Sequence, residues 1–148
     1  MKFIKIREVK SPERGTSKSA GIDFFVPEEF KENPIVLRPN ESTLFPTGIK
    51  MNIPNEHVLI AFNKSGVATK RDLTVGASVV DEDYKGEIHI HLTNVGTETQ
   101  VIKGGEKIIQ FLLMPIVYEQ LEEVFDEYVL FEGKDSERGE GGFGSTGV

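Results

Sequence analysis

The stretch Gly86-Glu-Ile-His-Ile-His-Leu-Thr-Asn94 has the clearest β-strand pattern in the chain. Ile88, Ile90 and Leu92 alternate with polar residues, and this two-residue period places one row of side chains in a core. Shorter apolar runs lie at 4–6, 22–26, 35–37, 43–45, 49–53, 58–62 and 107–113. Prolines and glycines separate the runs, and many short strands joined by turns are typical of an antiparallel sandwich or barrel.

The same pattern predicts how the chain is divided. Residues 1–131 are expected to form one all-β domain, in which the turn Lys103-Gly-Gly-Glu106 joins two strands of a hairpin. The best helix candidate starts at Ser65, a possible N-cap, and runs roughly to Arg71, and a weaker candidate lies at 119–124. Residues 132–148 are charged and glycine-rich, which predicts a flexible C-terminal arm and not a second domain.

Composition excludes several functions. The chain has 148 residues, 38% of them apolar, and a net charge of −7, so it can bury a core but is not expected to bind nucleic acid directly. It has no cysteine, which removes disulfides and thiol catalysis and fits a reducing compartment. No export signal or membrane-spanning stretch is evident, and a cytoplasmic protein is expected, with a nucleus or a virus-infected cell as alternatives.

An acidic hairpin is predicted between Gly76 and Glu87. Asp81 directly follows Val79-Val80, so it sits at a strand end, where its neighbours fix its position as a general base acting through water requires. Acidic residues are also common in solvated turns, and that alternative stays open on this segment alone. Tyr84 is either a site residue or a partly buried aromatic.

Three other polar positions each allow a functional and a structural reading. Asp23 lies inside an apolar run, where it either caps a turn or faces a site, such as one for a metal. Lys64 and Ser65 stand where a helix starts, which suits a phosphate or a simple helix cap. Gln110 lies in an apolar strand, so its amide needs either backbone or ligand partners.

The C-terminal segment Arg138-Gly-Glu-Gly-Gly-Phe-Gly-Ser-Thr-Gly-Val148 is the most unusual in the chain. Its glycines allow backbone N–H groups to approach an anion, while Arg138 suits phosphate oxygens and Phe143 offers a flat face to a base. Either it is a disordered glycine-rich end, or it closes over a ligand. No P-loop, dinucleotide-binding fingerprint or metal-binding histidine set is present in the sequence.

Five segments, taken in chain order, resemble the five motifs of the homotrimeric deoxyuridine triphosphatases (dUTPases). They are Ala20-Gly-Ile-Asp-Phe, Lys64-Ser-Gly-Val-Ala, Gly76-Ala-Ser-Val-Val-Asp-Glu-Asp-Tyr-Lys-Gly, Gly105-Glu-Lys-Ile-Ile-Gln and Arg138-Gly-Glu-Gly-Gly-Phe-Gly-Ser-Thr-Gly. The similarity extends from about residue 20 to the C-terminus. It implies a jelly-roll β fold in a threefold homotrimer, with active sites shared between subunits.

The resemblance also implies the reaction. A dUTPase hydrolyses dUTP to dUMP and pyrophosphate with Mg²⁺, which limits uracil incorporation into DNA and supplies dUMP for thymidylate synthesis. Asp81 would activate the water that attacks the α-phosphorus, and Tyr84 would pack against the deoxyribose and exclude a 2′-hydroxyl. Asp23 would hold Mg²⁺ through water.

The remaining roles implied by the resemblance concern substrate binding. The uracil edge would be read by the backbone of Ala77, Ser78, Val79 and Val80. The phosphates would be bound by Lys64, Ser65, Gly66, Gln110 and Arg138, the last at the γ-phosphate. The tail would stack Phe143 on uracil and close with Gly144, Ser145 and Thr146.

Two departures from the family pattern affect these expectations. Lys64 stands where the family usually has arginine, which keeps the charge but loses the bidentate fork, and Ser78 stands where glycine is common. Two alternatives follow from the same residues. A deoxycytidine triphosphate deaminase would share the fold and some phosphate contacts, and a trimeric nucleotide-binding module would bind dUTP without turnover.

Overall fold

The structure, a computed structural model, describes residues 1–142. Contacts divide the chain into two compact units, Met1–Val117 and a second that begins at Tyr118. Residues 132–142 of the predicted arm belong to the second unit. Within the described part of the chain, we find no helix of the length and apolar character needed to cross a membrane.

Most regular structure within residues 1–142 is β-strand, as the sequence predicts. The strands are β1 (Lys2–Lys5), β2 (Ile22–Phe25), β3 (Ile35–Leu37), β4 (Ser42–Pro46), β5 (Ile49–Asn52), β6 (His57–Asn63), β7 (Leu73–Val75), β8 (Val79–Val80), β9 (His89–Asn94), β10 (Gln100–Ile102) and β11 (Lys107–Pro115). The α-helices are α1 (Ser65–Arg71) and α2 (Glu127–Leu130), and a turn of 3-10 helix covers Glu28–Phe30. The fold is the jelly-roll-like β fold that was expected.

The strands pair antiparallel in the first unit. The largest sheet has the order β2-β11-β6-β8, the next has β4-β9-β7, and β1-β5 and β10-β3 form two-stranded sheets. In the largest sheet Gln110 of β11 lies opposite Asp23 of β2 on one side and Phe62 of β6 on the other. The register therefore places two candidate site residues side by side at one position of the sheet.

The alternation in β9 is confirmed by burial. Ile88, Ile90 and Leu92 are each at most 1% exposed and belong to one hydrophobic core with Phe24 and Phe111. The rings of Phe24 and Phe111 lie 4.6 Å apart between centroids, a distance typical of packed aromatic pairs. All core residues fall between Val9 and Phe111, so the core belongs to the first unit.

Both predicted hairpins are wrong. β8 pairs with β6, whereas β9 pairs with β4 and β7, so the acidic segment after Val80 crosses from one sheet to another. The turn at Lys103–Glu106 forms, with Glu106 N–H donating to Lys103 O at 3.3 Å, but β10 pairs with β3 and β11 pairs with β2 and β6. In both places the strands find partners far along the chain, which local turn chemistry does not specify.

The helix predicted to start at Ser65 is confirmed, but the predicted cap and the second predicted helix are not. Lys64, extended at φ −81°, is the N-cap of α1, and Ser65 is its first helical residue, so Ser65 is not the cap. Residues 119–124 are not helical; the helix of the second unit begins after Asp126. The Asp126 carboxylate accepts hydrogen bonds from Tyr128 N–H at 2.8 Å and Val129 N–H at 3.2 Å, which is the usual way an aspartate fixes a helix start.

Candidate active site

One cavity of about 260 Å³ gathers the residues expected to contact the base, the sugar and the attacking water. Of the predicted site residues it is lined by Ala77, Ser78, Val79, Val80, Asp81 and Tyr84. Its other walls are Leu44, Ile88, His89 and Phe111. A concave site with apolar walls and a few polar groups is the usual form of a small-molecule pocket.

The segment 77–80, which lines this cavity, is held by hydrogen bonds at both ends. At its end, β8 pairs with β6, and Ala61 N–H donates to Ser78 O at 2.8 Å. At its start, Gly76 N–H donates to His91 O at 3.0 Å, and Ala77 N–H donates to His91 Nδ1 at 3.0 Å. The backbone expected to read a base is therefore fixed by two strands of different sheets.

Asp81 directly follows β8, as predicted from its place after Val79-Val80. The residue is exposed, and within residues 1–142 its carboxylate has no hydrogen-bond or ion-pair partner. Its carbonyl accepts a hydrogen bond from Tyr84 N–H at 3.2 Å, which closes a turn and orients the residue. An ionised carboxylate in this position can accept a hydrogen bond from a water molecule in the cavity.

The ring of Tyr84 is supported from behind. Its hydroxyl donates to Glu87 O at 2.9 Å, and His89 Nδ1 donates to the same carbonyl at 2.8 Å. The ring also passes close to Gly86, where an added Cβ would lie 2.3 Å from the hydroxyl oxygen. Glycine is therefore required at this position for the ring to take its place in the cavity wall.

The Glu87 side chain anchors this support to the first strands. Its carboxylate accepts from Arg7 Nε at 2.8 Å and from Gly48 N–H at 2.8 Å, and Arg7 also pairs with Glu29 at 3.0 Å. Burial alone would raise the pKa of Glu87, but the hydrogen bonds from Arg7 and Gly48, with the positive charge of Arg7, lower it overall. Glu87 therefore stays ionised and holds the loop of Tyr84 against the β1–β5 side of the unit.

Asp23 lies in a second cluster of charges. It is 7% exposed; Lys64 Nζ contacts its Oδ1, and Lys107 Nζ lies 3.5 Å from its Oδ2. Lys107 also pairs with Glu13 at 2.8 Å, and this hydrogen bond, with the nearby negative charges, raises the pKa of Lys107. In the part of the chain that is described, no three His, Cys, Asp or Glu side chains converge as metal ligands.

Gln110 and the start of α1 complete this second cluster. Gln110 Nε2 donates to Asn63 O at 2.8 Å, and Asn63 directly precedes Lys64. Ser65 and Gly66 follow, exposed, in the first turn of α1. None of the residues from Lys64 to Gly66, nor Gln110, lines the cavity of Asp81. Within one chain, the predicted phosphate contacts and the predicted base contacts therefore form separate groups.

The described part of the C-terminal motif lies in the second unit. Arg138 is exposed, and its Nε donates to Gly141 O at 2.7 Å. The predicted contacts Phe143, Gly144, Ser145 and Thr146 lie outside the described residues.

Sequence reasoning missed several residues of the cavity. Leu44, Phe111 and His89 line it, and His91 supports it, but none was predicted as a site residue. The alternation in β9 does place His89 and His91 on the face opposite the core residue Ile90. It does not say that residues 76–77 approach that face, because this contact joins positions far apart in the chain.

Comparison with known proteins gives consistent matches. A sequence model of the dUTPase family matches residues 7–147. The deoxyuridine 5'-triphosphate nucleotidohydrolase of Mus musculus is 35% identical over 148 residues, covering 99% of this chain and 85% of the mouse protein. A mutant dUTPase of Staphylococcus bacteriophage 80alpha, solved with dUpNHpp, superposes with a TM-score of 0.82 at 26% identity, covering 99% of this chain and 98% of its own. A mutant dUTPase of phage phi11 of S. aureus, described as coordinating a structural Mg(II) ion, has a TM-score of 0.76 at 24% identity. The match covers 84% of this chain and 96% of the phage protein.

Proposed function

The chain belongs to the dUTPase family, and we infer that it is an enzyme that hydrolyses dUTP to dUMP and pyrophosphate. The observation that carries this inference is the cavity in which the backbone of residues 77–80, Asp81 and Tyr84 meet. The base, the sugar and the α-phosphorus are consecutive parts of dUTP, so the residues that contact them have to lie together. In a cell this activity would remove dUTP from the DNA precursors and supply dUMP for thymidylate synthesis.

Asp81 is the proposed general base. Its unpaired carboxylate accepts a hydrogen bond from a water molecule and takes one of its protons as the water oxygen attacks the α-phosphorus. The bond between the α-phosphorus and the bridging oxygen of the β-phosphate breaks, and pyrophosphate leaves. Catalysis of such a transfer depends mainly on positioning and on neutralising charge, which suits a carboxylate held at a strand end.

The base and the sugar are proposed to be selected by the walls of the same cavity. The polar backbone groups of residues 77–80 would pair with the edge of uracil, and Tyr84 would pack on the deoxyribose. The position of the ring, fixed through Glu87 O, supports a rigid wall that leaves no space for a 2′-hydroxyl. A wall of fixed position rejects the ribonucleotide by a steric clash with its extra hydroxyl.

The phosphates are proposed to bind at the start of α1. Ser65 and Gly66 are exposed there, with Lys64 and Gln110 beside them. Lys64 pairs with Asp23 in this structure, so we propose that a triphosphate draws the ammonium group away from that carboxylate. The exchange replaces one anionic partner with another and keeps the lysine charge compensated.

Mg²⁺ is proposed to accompany the triphosphate. Asp23 offers one carboxylate, both of whose oxygens lie near ammonium groups, so as it stands this residue does not bind a cation. Mg²⁺ usually keeps several waters and takes one or two carboxylates with substrate phosphates, which suits contact through water once Lys64 has turned to the phosphates. When bound, the ion would neutralise charge on the phosphates.

We further propose that the enzyme is a homotrimer whose active sites are shared between subunits. The separation of the base cavity from the phosphate cluster within one chain supports this arrangement, because a second subunit can supply the group that the first lacks. The C-terminal arm, residues 132–148, is proposed to close each site. In it Arg138 would bind the γ-phosphate, Phe143 would stack on uracil, and Gly144, Ser145 and Thr146 would complete the closure.

The test is pyrophosphate release with Mg²⁺ from dUTP, dCTP, dTTP and UTP, each supplied separately to the wild type and to Asp81→Asn. We expect release from dUTP only, and its loss in the variant with dUTP binding kept, because the amide preserves shape but does not accept the proton. Near-normal release by Asp81→Asn would exclude Asp81 as the base. Ammonia release from dCTP would indicate a deaminase, and tight binding of dUTP without turnover would indicate a binding module.

A further inference from the structure

We propose that His91 is a positioning residue for the base-reading backbone, an inference that rests on the proposed binding of uracil by residues 77–80. His91 lies on β9, one position beyond the last paired residues of β7 and β9, which are Val75 and Leu92. After Val75 the chain leaves the β4-β9-β7 sheet, and from Ala77 onward it lines the cavity.

His91 extends the hydrogen-bond ladder past the end of the strand pair. Its carbonyl accepts from Gly76 N–H at 3.0 Å, as a strand partner would. Its ring Nδ1 then accepts from Ala77 N–H at 3.0 Å, in place of a backbone carbonyl that the diverging chains no longer provide. Two consecutive N–H groups are thus held by one residue, immediately before the segment that lines the cavity.

The close approach of the ring depends on Gly76. A Cβ at this position would lie 2.0 Å from Nδ1 of His91 and 2.5 Å from its Cε1, far inside contact distance. Glycine therefore allows the imidazole to reach the next N–H group. Because Nδ1 accepts, the proton of the neutral ring is on Nε2, which defines the tautomer of His91.

The position of the ring relative to the cavity suits this role. His91 lies opposite Leu44 of β4, and both Leu44 and Ala77 line the cavity. His91 itself does not line it, so the residue acts through Ala77 and not by touching the base. Its removal is expected to weaken nucleotide binding and to leave Asp81, at the other end of the segment, in place.

Two substitutions at His91 that are similar in shape to each other separate the effect of the hydrogen bond from the effect of packing. In His91→Asn the amide oxygen occupies the place of Nδ1 and can still accept from Ala77 N–H, whereas His91→Leu places a methyl group there. Thr93→Val, on the same face of β9, is the control for the loss of a polar side chain from that face. Each variant is compared with the wild type by thermal unfolding, by hydrogen exchange of the Ala77 amide, by dUMP binding, and by KM and kcat for dUTP.

We expect His91→Leu to weaken dUMP binding and raise KM by about 3- to 10-fold, the loss that one hydrogen bond produces, with kcat changed less than about twofold. Ala77 amide exchange should accelerate in His91→Leu and stay slow in His91→Asn, which should also bind dUMP as the wild type does. A folded His91→Leu protein with normal dUMP binding and a protected Ala77 amide would overturn the inference, as would His91→Asn behaving like His91→Leu. Failure of the wild type to release pyrophosphate from dUTP would instead overturn the proposed function.

Discussion

At the scale of single residues, the site depends on supports that are invisible in the motifs. Asp81 and Tyr84 were predicted from a motif, and the structure gathers both in one cavity. Their precision comes from Glu87, whose carbonyl holds the Tyr84 hydroxyl, and from His91, which holds the start of the segment. Arg7, which holds the Glu87 carboxylate, and Ala77, which His91 holds, lie far along the chain from these residues, so the motif predicts the candidate site residues while their positions depend on the fold.

The proposed exclusion of ribonucleotides by Tyr84 can be tested by substitution. Replacing Tyr84 with alanine removes the wall that is proposed to exclude a 2′-hydroxyl, so UTP should be hydrolysed more readily and the preference for dUTP over UTP should fall by about tenfold or more. Tyr84→Phe is the matched control, because it keeps the ring and removes only the hydrogen bond to Glu87 O. The measurement is kcat/KM for both nucleotides, and an unchanged preference in Tyr84→Ala would remove the residue from this role.

At the scale of elements, the alternation of apolar residues predicted strands well and their partners badly. β9 lies where its two-residue period placed it, and Ile88, Ile90 and Leu92 are buried. The two predicted hairpins failed because a jelly-roll-like fold sends consecutive strands to different sheets, and turn residues report only the local reversal of direction. The start of α1 at Ser65 was predicted correctly, but its N-cap is Lys64 and not Ser65.

The ion pair between Arg7, which follows β1, and Glu87, in the loop of Tyr84, should make the free energy of unfolding depend on pH. Glu87→Gln is expected to destabilise the protein by about 1 kcal/mol at pH 7, which is less than a buried hydrogen bond to a charged group contributes because Arg7 is partly exposed. Glu87 has a lowered pKa in the folded protein, so its stabilisation is present above the unfolded pKa, about 4.3. The contribution is lost as the pH falls through the lower folded pKa.

Thermal unfolding of the wild type and Glu87→Gln between pH 7 and pH 3 measures this difference. The gap in Tm should be constant down to about pH 5 and then close as Glu87 is protonated in the wild type. Glu29→Gln removes the more exposed partner of the same arginine and serves as the control, with a smaller gap in Tm at pH 7. A gap that stays constant down to pH 3 would mean that the charge of Glu87 is not what stabilises the loop.

The C-terminal motif is an element whose role can be separated from folding. Since the whole core lies between Val9 and Phe111, a chain that ends at residue 137 should keep the melting temperature of the full protein. Its turnover of dUTP should fall by about 10²-fold or more, the scale expected when a charge-stabilising group is lost from a phosphoryl-transfer site. Lys134→Ala, in the same arm but outside the motif, should remain active. Loss of folding in the shortened chain would show instead that the segment is structural.

At the scale of the whole molecule, one chain keeps the proposed base contacts and the proposed phosphate contacts apart. The cavity of Asp81 and the cluster around Gln110 lie in the same unit, and no residue from Lys64 to Gly66 lines that cavity. The net charge of −7 also opposes the binding of a triphosphate, whose four negative charges have to be compensated by cations at the site. The homotrimer is implied only by the family resemblance, because composition and periodicity do not report which surfaces of two copies meet.

Mixed trimers test whether the sites are shared. Asp81→Asn lacks the base, and the double variant Ser65→Ala, Gln110→Ala lacks two proposed phosphate contacts, so each alone should be nearly inactive. If Asp81 of one subunit works with Ser65 and Gln110 of another, refolding the two variants together in equal amounts should restore about a quarter of the sites, because each half is intact with a probability of about one half. Wild type refolded with Asp81→Asn should give about half of the wild-type activity whether or not subunits mix, so it controls for the yield of refolding, and native mass spectrometry of the first mixture shows whether mixed trimers form. Pyrophosphate release per site measures both mixtures. Mixed trimers that form in the first mixture but stay inactive would place the whole site within one chain and exclude the shared arrangement.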